Sequence, residues 1–377
     1  MNVLEKVQIL SAGSKYDTCS AGVSKRKISG LDRVGNAAVA GICATSTEGG
    51  KKVNLFKTLY SNTCTHDCAY CTNSTTCKKR TTKAIYEPQE LAKVFMKLYV
   101  RNYVEGLFLS SGVPGNPDFI SEQMLETVKI LRHEHRFQGY IHFKALPGVS
   151  FDLLKEASGY VDRMSVNLEA PSKGRLSEIS STKEFGSDIV KRQSWIKKLN
   201  LPSGQSTQLV VGAAGESDLE ILETMKWEYK EMKVKRFYYS HFKPVEGTEL
   251  GTKNPVSRTR EAHLYNTDWL LRKYRLPFNE IKEILDDDGF LPQEDPKLAH
   301  AKKFLDDPVD VDEASYEELI RVPGIGLIGA RRIISYRKCR IKKLKRREIH
   351  KAGVVLKRAE PFLKINGHVQ KTLGEFR

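Results

Sequence analysis

Three cysteines within eight residues carry most of the chemistry in this sequence. Cys64, Cys68 and Cys71 are spaced C-x3-C-x2-C in a chain of 377 residues. Cysteine thiolates bind soft metals and iron–sulfur clusters. Three ligands from one loop leave a four-coordinate site one ligand short. In a cubane [4Fe–4S] cluster, one iron would therefore remain open to a ligand that is not protein.

A zinc site is the alternative for the same loop, with Cys77 or His66 as the fourth ligand. Zinc sites more often combine two separate C-x2-4-C pairs, and no second pair follows in this sequence. The isolated Cys19 and Cys43 are either buried apolar residues or part of the cluster pocket. The spacing therefore favours the cluster, while the roles of Cys19, Cys43 and Cys77 stay open.

Strand-like and helix-like segments alternate from Lys51 onward and must position this loop. Apolar runs predict six strands, at 53–60, 106–109, 140–146, 161–168, 205–211 and 236–241. Segments with helical apolar spacing predict six helices, at 87–102, 119–133, 151–157, 188–199, 218–232 and 258–274. This order predicts an α/β fold with a parallel sheet, in the form of a partial (β/α)6 barrel. Because function gathers at the C-terminal ends of such strands, the cysteine loop would open at that edge.

The cysteine loop, with Tyr70 just before its last cysteine, resembles that of the radical S-adenosylmethionine (SAM) superfamily. The resemblance implies two cofactors: a [4Fe–4S] cluster held by Cys64, Cys68 and Cys71, and S-adenosyl-L-methionine at the open iron. It also implies that an electron from the reduced cluster splits SAM and yields a 5′-deoxyadenosyl radical, which abstracts hydrogen from an unreactive C–H bond. The electron donor would be a protein such as flavodoxin or ferredoxin.

The same resemblance places SAM-binding residues at the ends of the later strands. The family's second strand ends in a Gly-Gly-Glu-like motif, where this chain has Ser-Ser-Gly and no acid. The family's fifth strand carries G-x-I-x-G-x-x-E, which here lacks its first glycine and has its acid, Glu216, one residue late. The implied cofactor-binding residues are Tyr70, Ser110, Ser111, Gly112, Asn167, Glu169 and Gly212.

Positive charge is concentrated near the C-terminus. The net charge is +16, and residues 321–360 carry 14 Lys and Arg against two Glu. A concentrated cationic region predicts a polyanionic partner, most often nucleic acid. No apolar run approaches the ~18 residues of a membrane helix, and the N-terminus lacks a signal-peptide pattern. We therefore expect a cytoplasmic protein with reduced cysteines and no membrane partner.

A second motif lies inside this cationic region. A capping box at Ser315 and Glu318 opens a predicted helix, Val-Pro-Gly-Ile-Gly forms a turn, and a second predicted helix follows. The pattern resembles the helix-hairpin-helix motif, whose turn exposes N–H groups that hold a phosphate of DNA without selecting sequence. The implied nucleic-acid-binding residues are Gly324, Ile325, Gly326, Arg331 and Arg332. A packed helical hairpin without a ligand is the alternative.

A weaker copy of this pattern follows 29 residues later, at 353–363. It predicts either a degenerate second hairpin packed on the first or a chance similarity. The hairpin would add a basic face, formed by Lys342, Lys343, Lys345, Arg346 and Arg347. The predicted domains are an N-terminal extension (1–50), the radical SAM core (51–285), an acidic linker (286–311) and a small all-α helix-hairpin-helix domain (312–377).

The combination of both motifs resembles a bacterial family of radical SAM proteins associated with DNA modification or repair and with a uracil-DNA-glycosylase-like partner. It implies a radical SAM enzyme that binds DNA and alters a nucleotide; it identifies neither the catalytic residues nor the product. RNA is the less favoured partner, through tRNA modification by the same chemistry. A non-catalytic iron–sulfur DNA-binding protein and a zinc DNA-binding module are the remaining alternatives.

Overall fold

The computed structural model of the protein describes residues 1–14, 41–46, 52–79, 81–339 and 343–369, so Cys19 and Lys342 lie outside the described residues. The chain divides into two compact units. The first comprises Met1–Glu216 and Glu223–Ser257, and the second comprises Ser217–Leu222 and the chain from Arg258 onward. Each unit is described by itself below.

A seven-stranded sheet forms the centre of the first unit, as far as the described residues show. Its strands lie side by side in chain order: β1 (Ile42–Ser46), β2 (Lys52–Leu59), β3 (Gly106–Ser110), β4 (Tyr140–Lys144), β5 (Arg163–Ser165), β6 (Gln205–Val211) and β7 (Arg236–His241). β1 pairs antiparallel with β2, and all later neighbours are parallel. The predicted α/β half-barrel is therefore confirmed, with one antiparallel edge strand added from the N-terminal extension.

Helices precede the sheet and connect its parallel strands. They are α1 (Val3–Gly13), α2 (Pro88–Val100), α3 (Pro117–His133), α4 (Phe151–Ser158), α5 (Lys173–Ser177), α6 (Lys191–Lys198) and α7 (Asp218–Trp227). A π-helical segment precedes α6 at Phe185–Val190, and another follows α7 at Glu228–Met232. The sequence pattern did not predict α5, which has only five residues.

The pairing of the parallel strands brings their C-terminal ends to one edge. Leu59 of β2 lies beside Ser110 of β3, and Lys144 of β4 lies beside Ser165 of β5. β3 is buried along its whole length, as expected for a parallel strand covered on both faces. The loops that leave β2, β3 and β5 therefore start close together, where a binding site is expected in such a sheet.

β5 is shorter than the predicted strand at 161–168. The hydroxyl of Thr207 on β6 donates to the carbonyl of Val166 at 2.7 Å and accepts from the N–H of Leu168 at 3.1 Å. A side chain thus replaces the backbone bonds that would continue the ladder. The chain after Ser165 stays beside β6, but it leaves the regular strand before it reaches the site.

Helices also dominate the second unit. Its remaining elements are α8 (Arg258–Arg272), α9 (Phe278–Glu283), α10 (Pro296–Phe304), β8 (Val309–Asp310), α11 (Tyr316–Arg321), α12 (Leu327–Lys338), α13 (Arg346–Lys351), α14 (Leu356–Ala359), β9 (Leu363–Ile365) and β10 (His368–Val369). The three strands form a small sheet in the order β10-β9-β8. No helix in the described part of the chain has the length and apolarity to cross a membrane.

One feature of this unit differs from the predictions. The small sheet means that the unit is not all-α. The acidic segment 286–311, predicted to connect two domains and to be partly helical at 297–305, contains α10 at that place and also β8. Asp295 accepts from the N–H groups of Lys297 and Leu298 and so caps α10, which explains one acidic residue of the segment. α8, predicted to end the core, packs on α10 in this unit.

Candidate functional site

One cavity in the first unit collects most of the predicted site residues. It is lined by Cys64, Cys68, Tyr70, Cys71, Ser110, Ser111, Gly112, Asn167 and Glu169. β6 contributes Gln208 and Val210 to the wall, whereas Gly212 is not a lining residue. The N–H of Gly212 instead donates to the carboxylate of Glu216. Lys183 also lines the cavity, and the sequence pattern gave no indication of it.

The cysteine loop is held against the end of β3 by backbone contacts. The N–H of Gly112 donates to the carbonyl of Ser61 at 2.7 Å, and the N–H of Thr65 donates to the carbonyl of Val113 at 2.8 Å. A Cβ atom on Gly112 would lie 2.3 Å from the carbonyl oxygen of Thr63. Only glycine therefore allows β3 to approach the loop this closely.

The two serines at the end of β3 differ in their partners. The hydroxyl of Ser111 accepts from the N–H of Ser61 at 3.1 Å and lies 3.3 Å from its carbonyl, so it ties the loop to β3. Ser110 is 1% exposed, and none of the described residues offers its hydroxyl a hydrogen-bond partner. A buried polar group without a partner is costly. The Ser110 hydroxyl in the cavity wall is thus suited to a polar ligand.

Burial affects the protonation of two of the cysteine thiols, those of Cys68 and Cys71. It raises the pKa of the Cys68 thiol, and together with the neighbouring charge of Cys68 it raises the pKa of Cys71 to about 12. A cationic centre that binds these thiols therefore has to displace their protons. In the described residues, no three His, Cys, Asp or Glu side chains converge on a single metal ion. A cubane cluster does not require this, because each thiolate binds a different iron.

Glu169 enters the cavity from a strained backbone position. Its φ of 65° lies in the left-handed region, which is uncommon for residues other than glycine. Hydrogen bonds to β6 hold it there: its N–H donates to the carbonyl of Gln208 at 3.0 Å, and its carbonyl accepts from Val210 at 2.9 Å. Glu169 is 7% exposed, and Tyr70 bonds to its carboxylate. Such strain concentrates at binding sites, where the fold maintains it for function.

Lys183 completes a buried polar network with Glu169 and Cys68. Its ammonium lies 3.5 Å from Oε1 of Glu169 and is hydrogen-bonded to the sulfur of Cys68. Although burial lowers the pKa of Lys183, Cys68 in its thiolate form and Glu169 outweigh this effect and raise that pKa above its ordinary value. Lys183 therefore remains a cation beside the cysteine loop. Sequence reasoning missed it because the polar segment 180–184 has neither strand nor helix spacing.

Residues 58–227 match the family model of the radical SAM superfamily. This part of the chain is therefore a radical SAM domain. Members of this superfamily bind a [4Fe–4S] cluster and SAM, which are therefore the cofactors of the matched domain. The cavity fits them chemically, because it combines three thiols with the unpartnered hydroxyl of Ser110 and a buried carboxylate. Radical SAM enzymes typically take electrons from a reductant such as flavodoxin or ferredoxin.

Several solved structures are similar to part of this chain. HydG, an FeFe-hydrogenase maturase from Carboxydothermus hydrogenoformans, is 11% identical over 58% of this chain and 51% of its own, with a TM-score of 0.48. Methylornithine synthase (PylB) is 14% identical over 58% and 62%, with a TM-score of 0.47. Coproporphyrinogen III oxidase (HemN) from Escherichia coli is 16% identical over 66% and 58%, with a TM-score of 0.38. This chain thus spans about half to three fifths of these structures, and no curated protein matches it.

In the second unit, α11 and α12 form a helix pair around the predicted turn. The predicted capping box opens α11: the N–H of Glu318 donates to the hydroxyl of Ser315 at 3.2 Å, and the N–H of Ser315 donates to the carboxylate of Glu318 at 2.7 Å. Gly324 has a φ of 85°, which glycine adopts without strain. Gly326 is the N-cap of α12. The turn therefore forms as the glycine positions indicate.

A second helix pair, α13 and α14, packs on this turn. The N–H of Val355 donates to the carbonyl of Gly324 at 2.9 Å, and a Cβ on Gly324 would lie 2.5 Å from the carbonyl of Val355. Gly353, at the predicted repeat position, has a φ of 92°. α14 has only four residues and continues as a 3-10 turn through Pro361, because proline cannot continue the helix.

A cavity of about 230 Å3 lies beside the turn at Gly324–Gly326. Lys297 of α10 donates to the carbonyl of Ile325 at 2.6 Å, and its ammonium lies 4.5 Å from the ring centre of Tyr274. The hydroxyl of Tyr274 accepts from the N–H of Leu327, the first residue of α12. Trp269, which is 43% exposed, forms another part of the wall.

The predicted cationic residues lie at the surface of this unit. Arg331 and Arg332 follow the turn by one helical turn and are exposed. Lys343, Lys345, Arg346 and Arg347 are exposed as well, at the start of α13. These positive charges are therefore accessible to a partner, whereas Ile325 in the turn is buried and packs in the core.

Proposed function

We propose that this radical SAM enzyme acts on DNA and modifies or repairs a nucleotide. Cys64, Cys68 and Cys71 would hold the cluster, and SAM would bind in the same cavity. The observation that carries this proposal is the convergence of three cysteines with residues from the ends of β3, β5 and β6 around one cavity. Bound there, the cluster and SAM supply hydrogen-atom abstraction by a radical that derives from SAM.

The residues of the cavity have distinct proposed roles toward SAM. Ser110 offers a hydroxyl, Asn167 an amide and Glu169 a carboxylate, and all three are at most 9% exposed. Glu169 is suited to accept hydrogen bonds from a ribose diol, while Lys183 and Tyr70 keep its carboxylate in place. The buried wall would exclude water from the reacting atoms and so protect a reactive species. Gly212 would act indirectly, through the turn that follows β6.

The second unit would bind the DNA backbone as a helix-hairpin-helix domain. Its support is the glycine turn at Gly324–Gly326 at the start of a 12-residue helix, next to exposed Arg331 and Arg332. Amides at a helix start and nearby cations attract phosphate without selecting sequence. Because the N–H of Leu327 is bonded to Tyr274, a phosphate at this turn would compete with that hydroxyl.

The nucleic-acid proposal is tested by equilibrium binding of the full chain to duplex DNA and to tRNA in competition. Tighter binding to DNA, with affinity that falls steeply with salt, is expected. Preference for tRNA would support RNA modification instead, and absence of binding to either would remove the nucleic-acid proposal. If the target base is stacked in a duplex, the enzyme must extrude it at a cost of a few kcal/mol. Binding of a uracil-DNA-glycosylase-like protein is a further expectation of this proposal.

The metal content separates the cluster from the zinc alternative. About four irons and four sulfides per chain after anaerobic reconstitution are expected for a cubane cluster. Zinc without sulfide would contradict the proposed ligand set. If the protein carries a full cluster and binds DNA but does not cleave SAM, this result would support the non-catalytic alternative.

A further inference from the structure

We propose that Lys183 is a positioning residue that holds a fixed positive charge against Cys68 and thereby raises the midpoint potential of the cluster. The inference rests on the proposed function, in which Cys68 is a cluster ligand. In this chain, the charge of Lys183 would favour reduction of the cluster, the electron transfer that every turnover requires.

The segment that carries Lys183 is fastened to the cysteine loop by Asp67. The carboxylate of Asp67 accepts from the hydroxyl of Ser180 at 2.6 Å, from the N–H of Ser181 at 3.0 Å and from the hydroxyl of Thr182 at 2.8 Å. Asp67 directly precedes Cys68, and Lys183 directly follows Thr182. The two segments are thus joined immediately beside the Lys183–Cys68 contact, so the lysine has little freedom to move away.

The environment of Lys183 makes its charge effective. Its side chain is 7% exposed, and the side chain of its partner Glu169 is 10% exposed. Charges interact more strongly in such a site than in water, because little solvent screens them. Hydrogen bonds to the ligand sulfurs and nearby charge set the reduction potential of an iron–sulfur cluster. Reduction adds one negative charge to the cluster, so a neighbouring cation stabilises the reduced form more than the oxidised form.

A purely structural role is the competing explanation. In that case Lys183 would serve only as the counter-ion of Glu169, and its loss would affect folding or SAM binding without changing the potential. The midpoint potential of the cluster without SAM therefore separates the two explanations, and it does not depend on turnover.

The test is a redox titration, followed by electron paramagnetic resonance, of reconstituted wild type and of Lys183→Met, Lys183→Gln and Lys183→Arg. We expect lower midpoint potentials for Lys183→Met and Lys183→Gln, and a value close to wild type for Lys183→Arg, which keeps the charge. Lys173→Met is the matched control: its side chain is 79% exposed, and its potential should equal that of wild type.

The outcomes distinguish this inference from the proposed function. Equal potentials in wild type and in the uncharged variants, at equal iron and sulfide content, would overturn the role of Lys183 and leave the cluster site intact. Failure of the wild type to bind iron and sulfide would overturn the proposed cluster site, and the inference with it. If Lys183→Met does not retain a cluster, Lys183→Gln gives the comparison, because it keeps an N–H donor without the charge.

Discussion

The ammonium of Lys183 lies 3.5 Å from the carboxylate of Glu169, and both side chains are at most 10% exposed. Glu169 follows β5, whereas Lys183 belongs to the polar segment tied to the cysteine loop. The pair therefore connects the part of the cavity proposed to hold the cluster with the part proposed to hold the ribose of SAM.

Glu169→Gln tests the SAM side of this pair. The substitution keeps the shape of the side chain and removes its charge. We expect the dissociation constant for SAM to rise about tenfold, which corresponds to about 1.4 kcal/mol, because a hydrogen bond to a charged acceptor is lost. Isothermal titration calorimetry on the reconstituted enzyme measures it. Iron content should not change, because Glu169 is not a proposed ligand.

Glu178→Gln is the control for this prediction. It removes the same charge, but from an exposed side chain. Its affinity for SAM should match that of the wild type. If both variants bind SAM as the wild type does, Glu169 has no role in binding the cofactor.

Glu228 predicts a pH dependence of stability in the first unit. It is fully buried, and burial raises its pKa to about 8, although Gln193 donates to it at 3.2 Å. The folded state thus holds the protonated form, whereas the unfolded chain ionises near 4.5. The protonated carboxyl of Glu228 therefore makes its full contribution to the free energy of unfolding below pH 4.5. This contribution is lost as the pH rises toward 8.

Glu228→Gln should therefore be more stable than wild type at pH 8, by about 1–3 kcal/mol, and similar to wild type at pH 5. Denaturant unfolding at the two pH values measures the difference. Glu231→Gln, three residues further along, removes a partly exposed carboxylate and should follow the wild type. An identical pH profile for wild type and Glu228→Gln would show that this carboxyl is not protonated in the folded state.

Much of the first unit was predictable from the sequence for identifiable reasons. Parallel strands such as β3 are buried on both faces and leave continuous apolar runs, and α3 shows clear helical spacing. The spacing of Cys64, Cys68 and Cys71 also singled out three residues that line one cavity. The roles of Lys183 and of the unpartnered hydroxyl of Ser110 could not be predicted in the same way. Their environment depends on contacts between segments distant in sequence, which no local pattern records.

The packing of α8 was not predictable from the sequence for a related reason. α8 has the amphipathic spacing of a crossover helix, yet it packs on α10 in the second unit. The acidic residues of 286–311 suggested a connection that is partly helical at 297–305, and in the structure Asp295 caps α10 while Asp310 lies in β8. Local composition indicates solvent exposure on average and does not identify the packing partner of a helix.

We expect alanine substitutions at the two turn glycines of the second unit to have different effects. Gly324→Ala places a Cβ 2.5 Å from the carbonyl of Val355 at a φ of 85°, so we expect it to destabilise this unit by about 2 kcal/mol or more. Gly326→Ala meets no atom closer than 3.8 Å and should keep the fold. Its methyl group would still stand beside the turn amides and should weaken DNA binding about fivefold.

Thermal unfolding and DNA titration measured on both variants check this prediction. Exposed Gly174 offers a control, because a Cβ there meets nothing within 4 Å. Full DNA affinity for Gly326→Ala would remove the turn from the proposed interface.

Lys297 predicts that DNA binding depends on pH. Burial, with a smaller contribution from Arg358, lowers its pKa to about 7, although Asp295 acts in the opposite direction. Lys297 gains its charge as the pH falls below 7, and a polyanion favours the charged form. We expect affinity for DNA to increase about threefold to tenfold between pH 8 and pH 6.

Lys297→Met should reduce this pH dependence, whereas Lys303→Met, at an exposed position of the same helix, should leave it unchanged. Fluorescence anisotropy with labelled duplex DNA at constant salt gives both profiles. The same slope in the wild type and in Lys297→Met would show that Lys297 does not face the bound phosphates.

The most direct test of the account is the yield of 5′-deoxyadenosine from anaerobically reconstituted enzyme with SAM and a strong reductant. We expect the wild type to form it and Cys68→Ala to form none, with less iron and unchanged affinity for DNA. Cys339→Ala, which removes an exposed cysteine, should behave as the wild type. A fully loaded wild type that forms no 5′-deoxyadenosine, or a Cys68→Ala variant that forms as much, would contradict the proposal that these cysteines hold the cluster that cleaves SAM.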